Sequence, residues 1–168
     1  MLRTGAQYLD SLRDGRIVYV GKERVDDVTT HAEFSNTSQM YAAMYDLKHS
    51  SELRHVLTFE EGGERHSAYF LKPRDRDELQ LRTDAHRAIA AFSHGLLGRS
   101  PDHVASSITG LAMGADVFNR DGADFAKNIE DYYRHARDND LFLAYAILPP
   151  QGARKPDLYQ SVDTNPPT

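Results

Sequence analysis

The sequence lacks cysteine and has no apolar run that could cross a membrane. The absence of cysteine from all 168 residues excludes disulfide scaffolds, thiolate metal sites, iron–sulfur clusters and cysteine nucleophiles. The apolar run at 141–148 has eight residues, whereas a membrane-spanning helix needs about 18. Residues 1–5 also lack the apolar core of a signal peptide. We therefore expect a soluble cytoplasmic protein that does not bind a membrane.

The sequence also has fewer basic than acidic residues. The 20 Lys and Arg residues are outnumbered by 25 Asp and Glu, which gives a net charge of −5, so the basic surface typical of nucleic-acid binding is absent. Hydrophobic residues make up 40% and charged residues 27% of the chain, which is enough apolar surface for a core and argues against disorder. The length fits one domain, or one domain and an incomplete piece of a second.

The eight histidines do not have the spacing of a metal site. There is no His-Glu-x-x-His motif, and His86 and His94 fall on different faces of one predicted helix. Residues 138–140 resemble the start of a calcium loop but lack its glycine and its final glutamate. We interpret them as the end of a helix and predict no metal.

The hydrophobic pattern predicts a mainly helical chain with short hairpins. Helical periodicity, with capping residues such as Thr4 and Asp75, predicts helices over residues 4–14, 36–49, 75–98, 100–119 and 121–140. Alternating residues around glycine turns predict two hairpins, with strands at 16–20 and 21–25 and at 55–59 and 66–71. The small residues of the 100–119 helix indicate close packing against a neighbour.

The apolar run at 141–148 predicts a buried strand or extended segment, because it lies between Asp140 and Pro149. A buried strand needs partners for its backbone groups, and only two short hairpins precede this one. After residue 150 the composition turns to proline, glycine, asparagine and charge. We therefore expect a sheet to begin here that this chain does not complete.

Residues 98–103, Gly-Arg-Ser-Pro-Asp-His, place a cation at the start of a helix. Ser100 and Pro101 are typical of an N-cap and a first helical position. Arg99 precedes free backbone N–H groups that favour an anion, and its guanidinium is a forked donor for a phenolate, carboxylate or phosphate. His103 on the first turn would reach the same ligand. The alternative, which the spacing alone favours, is a plain helix cap with Arg99 paired to a surface carboxylate.

Three stretches of the chain form a recognisable pattern: residues 3–16 with 25–31, residues 98–102 (Gly-Arg-Ser-Pro-Asp), and residues 139–141 with 149–151 and 154–156. Together they resemble the oxygenase component of the two-component, flavin-dependent 4-hydroxyphenylacetate 3-monooxygenases. The resemblance implies an acyl-CoA-dehydrogenase-like fold with an N-terminal helical domain, a middle β-barrel and a C-terminal bundle that forms a homotetramer. Residues 1–140 would be the helical domain with its small hairpins, and residues 141–168 the incomplete beginning of the barrel.

The resemblance also implies an activity. A separate flavin reductase supplies reduced FAD, oxygen adds to it to give a C4a-hydroperoxyflavin, and this species hydroxylates a phenol such as 4-hydroxyphenylacetate ortho to its hydroxyl group. The cofactor does the oxygen chemistry, while the protein positions the ring and excludes water.

The resemblance assigns roles to particular residues. Arg99 and His103 would be catalytic, and the substrate-binding set would be Arg99, Ser100, Pro101, Asp102, His103 and Ala144. The flavin-binding set would be Ala144, Tyr145, Ala146, Pro150 and Gln151. Two positions depart from the family: His103 stands where better-known members have tyrosine, and counting back from Pro149 puts Ala144 where they have histidine. Tyr145 would point to the opposite face of a strand, unless a one-residue shift in register brings it to the site.

Three readings of the function stay open. The first is the N-terminal part of this hydroxylase, inactive alone because an open flavin site would not protect the oxygenated cofactor from water. The second keeps the fold but takes a bulkier or different phenol, as in pigment, siderophore-chromophore or halophenol pathways, with room made by Ala144 and His103. The third is a non-catalytic helical module that binds a partner through the small-residue face of the 100–119 helix. An incomplete sheet should also expose apolar surface and favour self-association.

Overall fold

The computed structural model describes residues 1–97, 102–120 and 122–145, with the side chain of Asp102 outside that description. The helices are α1 (Gly5–Ser11), α2 (Ser35–Leu47), α3 (Arg54–Leu57), α4 (Arg76–Phe92), α5 (Asp102–Met113) and α6 (Phe125–Asp138), with two 3-10 helices at Ala68–Phe70 and Ala115–Phe118. The strands form two antiparallel hairpins, β1 (Val18–Val20) with β2 (Glu23–Val25) and β3 (Thr58–Glu61) with β4 (Glu64–Ser67). The prediction of a mainly helical chain with short hairpins is confirmed.

The N-terminal helix begins where its capping residue predicts. Thr4 Oγ1 accepts from the backbone N–H of Gln7 at 3.2 Å, and Gln7 Oε1 accepts from the N–H of Thr4 at 2.9 Å, a reciprocal capping box. A Cβ on Gly5 would lie 2.5 Å from the carbonyl oxygen of Ala42, so α1 and α2 cross at a distance that only glycine permits. The helix ends at Ser11, three residues before the predicted end.

The second hairpin is shorter than predicted on both sides. Gly62 and Gly63 both have positive φ, as a type I′ turn requires, and this turn pairs Thr58 with Ser67 at the far end. Residues 55–57, predicted as strand, lie in α3 instead, and residues 68–70 form a 3-10 helix. All three side chains of that helix are at most 2% exposed. Consecutive strand residues point to opposite faces, so a two-stranded hairpin could not bury all three.

The three later helices are also shorter than the sequence pattern predicts. The helix predicted over 75–98 starts at its expected cap, Asp75, but ends at Phe92, because His94 adopts a φ of 49° and turns the chain. The helix predicted from residue 121 begins at Phe125, where Asp124 accepts from the N–H of Lys127 at 3.0 Å. The helix predicted to reach residue 119 ends at Met113 and is followed by a 3-10 helix.

One core cluster extends from α1 and α2 through the buried 3-10 helix to α4, α5 and α6. Residues of α5 that face this core are small, as expected for close packing: Ala105 and Thr109 are fully buried and Ala112 is 5% exposed. Opposite them, Arg82 of α4 reaches across to donate to Ser106 Oγ at 2.5 Å and to the carbonyl of Leu71 at 2.5 Å. The predicted close packing against this helix is confirmed.

The apolar run after α6 is not a strand in its described part. Residues 141–145 are irregular, with Leu143 buried and Ala144 and Tyr145 exposed. The chain leaves α6 in a tight turn, and Phe142 then packs on the ring of Tyr41 at 4.5 Å, so contact with helices replaces pairing with another strand. Residues 146–148 of the predicted strand lie outside the described residues. No helix of the described ranges is long and apolar enough to span a membrane.

Candidate functional site

The described residues include three of the predicted site residues with their side chains. These are His103, Ala144 and Tyr145, while Asp102 is described as the first residue of α5 without its side chain. The remaining predicted site residues lie outside the described part of the chain: Arg99, Ser100, Pro101, Ala146, Pro150 and Gln151.

The structure brings His103 and Tyr145 together. Their ring centroids are 5.5 Å apart with an angle of 47° between the planes, within the range that aromatic pairs favour. His103 lies on the first turn of α5 and is exposed, and Tyr145 is 44% exposed. Two segments 42 positions apart in the numbering therefore present adjacent polar rings to the surface.

Tyr145 lies on the side of its segment that faces α5. The prediction that Tyr145 points away from the site required a strand, and residues 141–145 do not form one. Tyr145 contacts His103, and Ala144 offers a small exposed side chain next to it. The phenol hydroxyl and the imidazole can both donate and accept hydrogen bonds, so the pair can bind an oxygen of a polar aromatic ligand.

Aromatic packing holds the segment that carries Tyr145. The ring of Phe142 lies 4.5 Å from that of Tyr41 and 6.5 Å from that of Tyr8. Tyr8 stacks on Tyr45 at 5.0 Å with an interplanar angle of 20°. This cluster joins α1 and α2 to the segment that follows α6, and Leu143 is buried beside it.

The segment starts from an unusual helix end. The N–H of Leu141 donates to the carbonyl of Ala136 at 2.9 Å, and the N–H of Asp140 donates to that of Arg137 at 3.1 Å, the two bonds of a Schellman motif. Asp140 has a φ of 47°, a conformation in which glycine is usual and in which another residue costs about 1 kcal/mol or more.

The Asp140 carboxylate is 1% exposed and accepts four hydrogen bonds. Its Oδ2 accepts from Lys48 Nζ at 2.6 Å and from the N–H of Arg3 at 3.1 Å. Its Oδ1 accepts from Ser67 Oγ at 2.5 Å and from the hydroxyl of Tyr69 at 3.2 Å. We call these five residues, with Tyr45, the Asp140 network.

Lys48 is as fully engaged as its partner. Its Nζ donates to Asp140, to Ser67 Oγ at 3.0 Å and to the hydroxyl of Tyr69 at 3.2 Å, which uses all three of its protons. It also lies 4.0 Å from the ring centroid of Tyr45, a cation–π distance. The Tyr45 hydroxyl in turn donates to the carbonyl oxygen of Asp140 at 2.9 Å.

The electrostatics of the network favour a charged pair. Burial acts to raise the pKa of Asp140, but the charge and hydrogen bond of Lys48 outweigh it, so this pKa lies below its ordinary value. Burial lowers the pKa of Lys48, and the charge of Asp140 opposes that effect. Burial and the charge of Asp140 raise the pKa of Tyr45 and of Tyr69. Both tyrosines are therefore neutral donors around an ionised carboxylate.

Sequence reasoning did not find this network. It identified residues 138–140 as a helix end, which is confirmed, but it gave Asp140 no further role. The available signal was an aspartate in place of the glycine that usually follows a helix. Its partner was not predictable from the pattern, because Lys48 lies 92 residues away in the chain.

The order of helices and hairpins defines the N-terminal helical part of an acyl-CoA-dehydrogenase-like fold. Residues 4–166 match the model of the family described as "4-hydroxyphenylacetate 3-hydroxylase N terminal", and the chain belongs to this family. The resemblance seen in the sequence is thus confirmed.

Two relatives that match most of this chain are named as oxygenase components. The 4-hydroxyphenylacetate 3-monooxygenase oxygenase component of Thermus thermophilus is 40% identical over 90% of this chain and 31% of its own length. The 4-nitrophenol 2-monooxygenase oxygenase component of a Rhodococcus species is 42% identical over 91% of this chain and 30% of its own length. The chain thus spans about a third of the length of the curated relatives it matches.

A solved structure shows the same fold with ligands. The oxygenase component of 4-hydroxyphenylacetate 3-monooxygenase complexed with FAD and 4-hydroxyphenylacetate superposes with a TM-score of 0.83 at 39% identity. The match covers 92% of this chain and 32% of that one.

Proposed function

We propose that this chain is the N-terminal part of a reduced-FAD-dependent monooxygenase that hydroxylates a phenol ortho to its hydroxyl group. The observation that carries the proposal is the contact between His103 and Tyr145, which places two polar rings at the surface of α5. Family membership supports it, as does the similarity to a structure that contains FAD and 4-hydroxyphenylacetate. In this proposal residues 1–140 are a helical domain and residues 141–168 begin a β-barrel.

In this proposal His103 and Arg99 both contact the phenol oxygen but have different roles. Arg99 holds the oxygen as phenolate by its positive charge, which makes the ring more reactive toward an electrophilic oxygen. His103 takes the phenol proton and stays hydrogen-bonded to the same oxygen. Tyr145, in contact with His103, orients the imidazole and borders the ring of the substrate. Ser100, Pro101 and Asp102 complete the proposed substrate-binding set.

The described residues fit a flat aromatic cofactor. Ala144 is small and exposed, the Tyr145 ring is partly exposed, and the backbone of residues 142–144 forms no hydrogen bond to other described residues. Backbone N–H and C=O groups beside an aromatic ring can bind the polar edge of an isoalloxazine, and we propose that Ala144, Tyr145, Ala146, Pro150 and Gln151 hold it. Reduced FAD, when bound, supplies the activation of oxygen. The protein orients the phenol and excludes water.

The partners follow from the same proposal. They are a separate flavin reductase that delivers reduced FAD, molecular oxygen and a phenolic substrate, with a homotetramer as the assembly of a full-length parent. His103 and Tyr145 are exposed in this chain, so water reaches the site, and we predict that the chain alone is inactive and self-associates. The cytoplasmic location stays a prediction.

A bulkier or differently substituted phenol is the second candidate substrate. The relatives include the 4-nitrophenol 2-monooxygenase component and, at 39% identity, the pyoverdin chromophore biosynthetic protein PvcC of Pseudomonas aeruginosa. The small exposed Ala144 leaves space beside Tyr145 for an additional ring substituent. The third reading, a non-catalytic binding module, would use the exposed face of α5 that includes Ser107 and Gly110.

The test is a titration of the 168-residue chain with 4-hydroxyphenylacetate, followed by NMR at the histidine ring protons. We expect saturable shifts at His103 that Arg99→Ala weakens and Tyr145→Ala alters. The exposed His55 is the internal control and should not shift. No shift at His103 at millimolar phenol, with the fold intact, would overturn the proposal.

A second assay tests inactivity of the chain alone. Reduced FAD, oxygen and 4-hydroxyphenylacetate are mixed with the chain, and the catechol product is quantified. We expect no more product than in the free-flavin blank, and product above that blank would show that the isolated chain is active.

A further inference from the structure

Asp140, in the turn that follows α6, does more than end the helix. Glycine forms the same Schellman turn without the strain of a positive φ, so the turn alone gives no reason for a carboxylate at residue 140. The Asp140 side chain is instead 1% exposed and points into the protein. What it contacts there explains why an aspartate is present.

The hydrogen bonds of Asp140 come from several different helices and strands that surround the start of residues 141–145. Its carboxylate accepts from four places in the chain: Arg3, two residues before α1; Lys48, directly after α2; Ser67, the last residue of β4; and Tyr69 of the buried 3-10 helix. The Tyr45 hydroxyl of α2 bonds its carbonyl oxygen. Five residues therefore donate hydrogen bonds to Asp140, four to its side chain and one to its backbone.

The segment that leaves this point carries Tyr145. Five positions after Asp140, Tyr145 contacts His103, and the residues between them are held by Phe142 on Tyr41 and by the buried Leu143. The backbone of residues 142–144 forms no hydrogen bond within the described ranges. The described contacts that set the direction of the segment are those of its anchored first residue, of Phe142 and of Leu143.

We propose that the Lys48–Asp140 pair is a positioning device that sets the path of residues 141–145 and so holds Tyr145 against His103. Its effect on substrate binding rests on the function proposed above, whereas its effect on geometry does not. A buried ion pair is weak evidence for stability, because apolar replacements are often as stable. Apolar side chains, however, would not form the directional hydrogen bonds that hold Asp140 in one conformation.

The decisive variant is Asp140→Gly, which keeps a residue suited to the turn and removes the carboxylate. We expect the helical circular dichroism of α6 to persist while the nuclear Overhauser effect between the rings of His103 and Tyr145 falls at least fivefold. An undiminished ring-to-ring effect in a folded Asp140→Gly protein would overturn the proposal.

A milder variant covers the case in which Asp140→Gly does not fold. Ser67→Ala removes one donor to Asp140 and one acceptor of Lys48 and leaves the ion pair in place. We expect about a twofold loss of the same ring-to-ring effect at unchanged helical content. An unchanged effect in Ser67→Ala would contradict the proposal.

The matched control is the Lys72–Glu130 pair. Lys72 Nζ lies 2.9 Å from Glu130 Oε1 and 4.3 Å from the ring centroid of Tyr133, so it resembles Lys48 without touching the segment after α6. Lys72→Met should lower the melting temperature and leave the contact between His103 and Tyr145 intact. If Lys72→Met and Lys48→Met lost the contact between His103 and Tyr145 equally, the Asp140 network would only stabilise the fold in general. That result would refute its positioning role.

The same samples separate this proposal from the proposed function. Each is titrated with 4-hydroxyphenylacetate and read at His103. If the unchanged chain does not bind the phenol but Asp140→Gly loses the ring contact, the proposed function fails and the positioning role stands. If the phenol binds equally well to the chain and to Asp140→Gly with the contact retained, the positioning role fails and the proposed function stands.

Discussion

The helices α4 and α6 end in the same backbone turn but use it differently. After α4 the N–H of Gly95 bonds the carbonyl of Ala90 at 2.9 Å, and His94 has a φ of 49°. After α6 the equivalent bond joins Leu141 to Ala136 at 2.9 Å, and Asp140 has a φ of 47°. Both helices thus place a non-glycine residue in the left-handed region, where it is strained.

The two side chains differ in their surroundings. His94 is exposed, whereas Asp140 is buried and bonded to Lys48 and its neighbours. The same backbone strain is therefore offset by side-chain contacts after α6, whereas the exposed His94 makes no buried contact with the described residues that would offset it after α4. The comparison shows that a local turn motif identifies the end of a helix but not the role of the residue within it.

The largest expected effect is that of Asp140→Gly, which leaves Lys48 buried without its counter-charge. Removing one partner of a buried pair costs about 3–5 kcal/mol, and the relief of backbone strain offsets only a small part of this. The measurement is urea unfolding monitored by circular dichroism. In the variant the pKa of Lys48 falls further, so the deficit should shrink as the pH rises toward 10. A variant as stable as the unchanged chain would show that the two helix ends are equivalent.

The pH dependence of stability is expected to be smaller and to come first from His66. This side chain is 3% exposed, its Nδ1 has no hydrogen-bond partner among the described residues, and burial, aided by Arg137, lowers its pKa below 6.5. His66 therefore binds a proton more readily in the unfolded chain than in the folded chain. The free energy of unfolding should fall below pH 6.5, by at most about 1.4 kcal/mol per pH unit.

The control for this titration is His66→Gln, followed by urea unfolding between pH 7 and pH 5. We expect the slope in this range to disappear, because the carboxylates that accept strong hydrogen bonds, Asp14 and Asp27, have pKa values lowered to about 2 and lose their contribution only at lower pH. A slope that persists in His66→Gln would assign the dependence to another group.

The next effect in size is that of Lys72→Met. The side chains of Lys72 and Glu130 are 29% and 28% exposed, so solvent screens the pair and its loss should cost about 1 kcal/mol. Thermal and urea unfolding measure this cost. A cost equal to that of Lys48→Met would contradict the distinction between the buried pair and the half-exposed pair.

The smallest effect, of opposite sign, is expected for His94→Gly. Glycine relieves the positive φ at the end of α4, and the exposed imidazole has little packing to lose, so a gain of about 0.5 kcal/mol is expected despite the greater entropy of the unfolded chain. The measurement is the shift of the urea midpoint. A loss of stability as large as that of Asp140→Gly would indicate a hidden role for His94.

Much of the local structure was predictable from the sequence. The caps at Thr4 and Asp75, the glycine turn at residues 62–63 and the helical spacing all act within a few residues. Predictions failed where burial on several sides decides the conformation. The run at 68–70 forms a 3-10 helix among the core elements, and the run at 141–145 packs irregularly on α1 and α2.

The candidate site was predictable in part. A role for His103 was expected from its place at the start of α5, and the resemblance pointed to Ala144 and Tyr145. The contact of Tyr145 with His103 was not expected, because the argument assumed a strand. The Asp140 network depends on Arg3, Lys48, Ser67 and Tyr69, and no local pattern brings residues so distant in the chain together.

The most direct test of the account is a set of intermolecular nuclear Overhauser effects between the ring protons of 4-hydroxyphenylacetate and the protein. The account predicts effects to the rings of His103 and Tyr145 and their loss in Asp140→Gly. Effects confined to another surface, such as the cavity beside α1 lined by Gln7, His49 and Arg54, would contradict it.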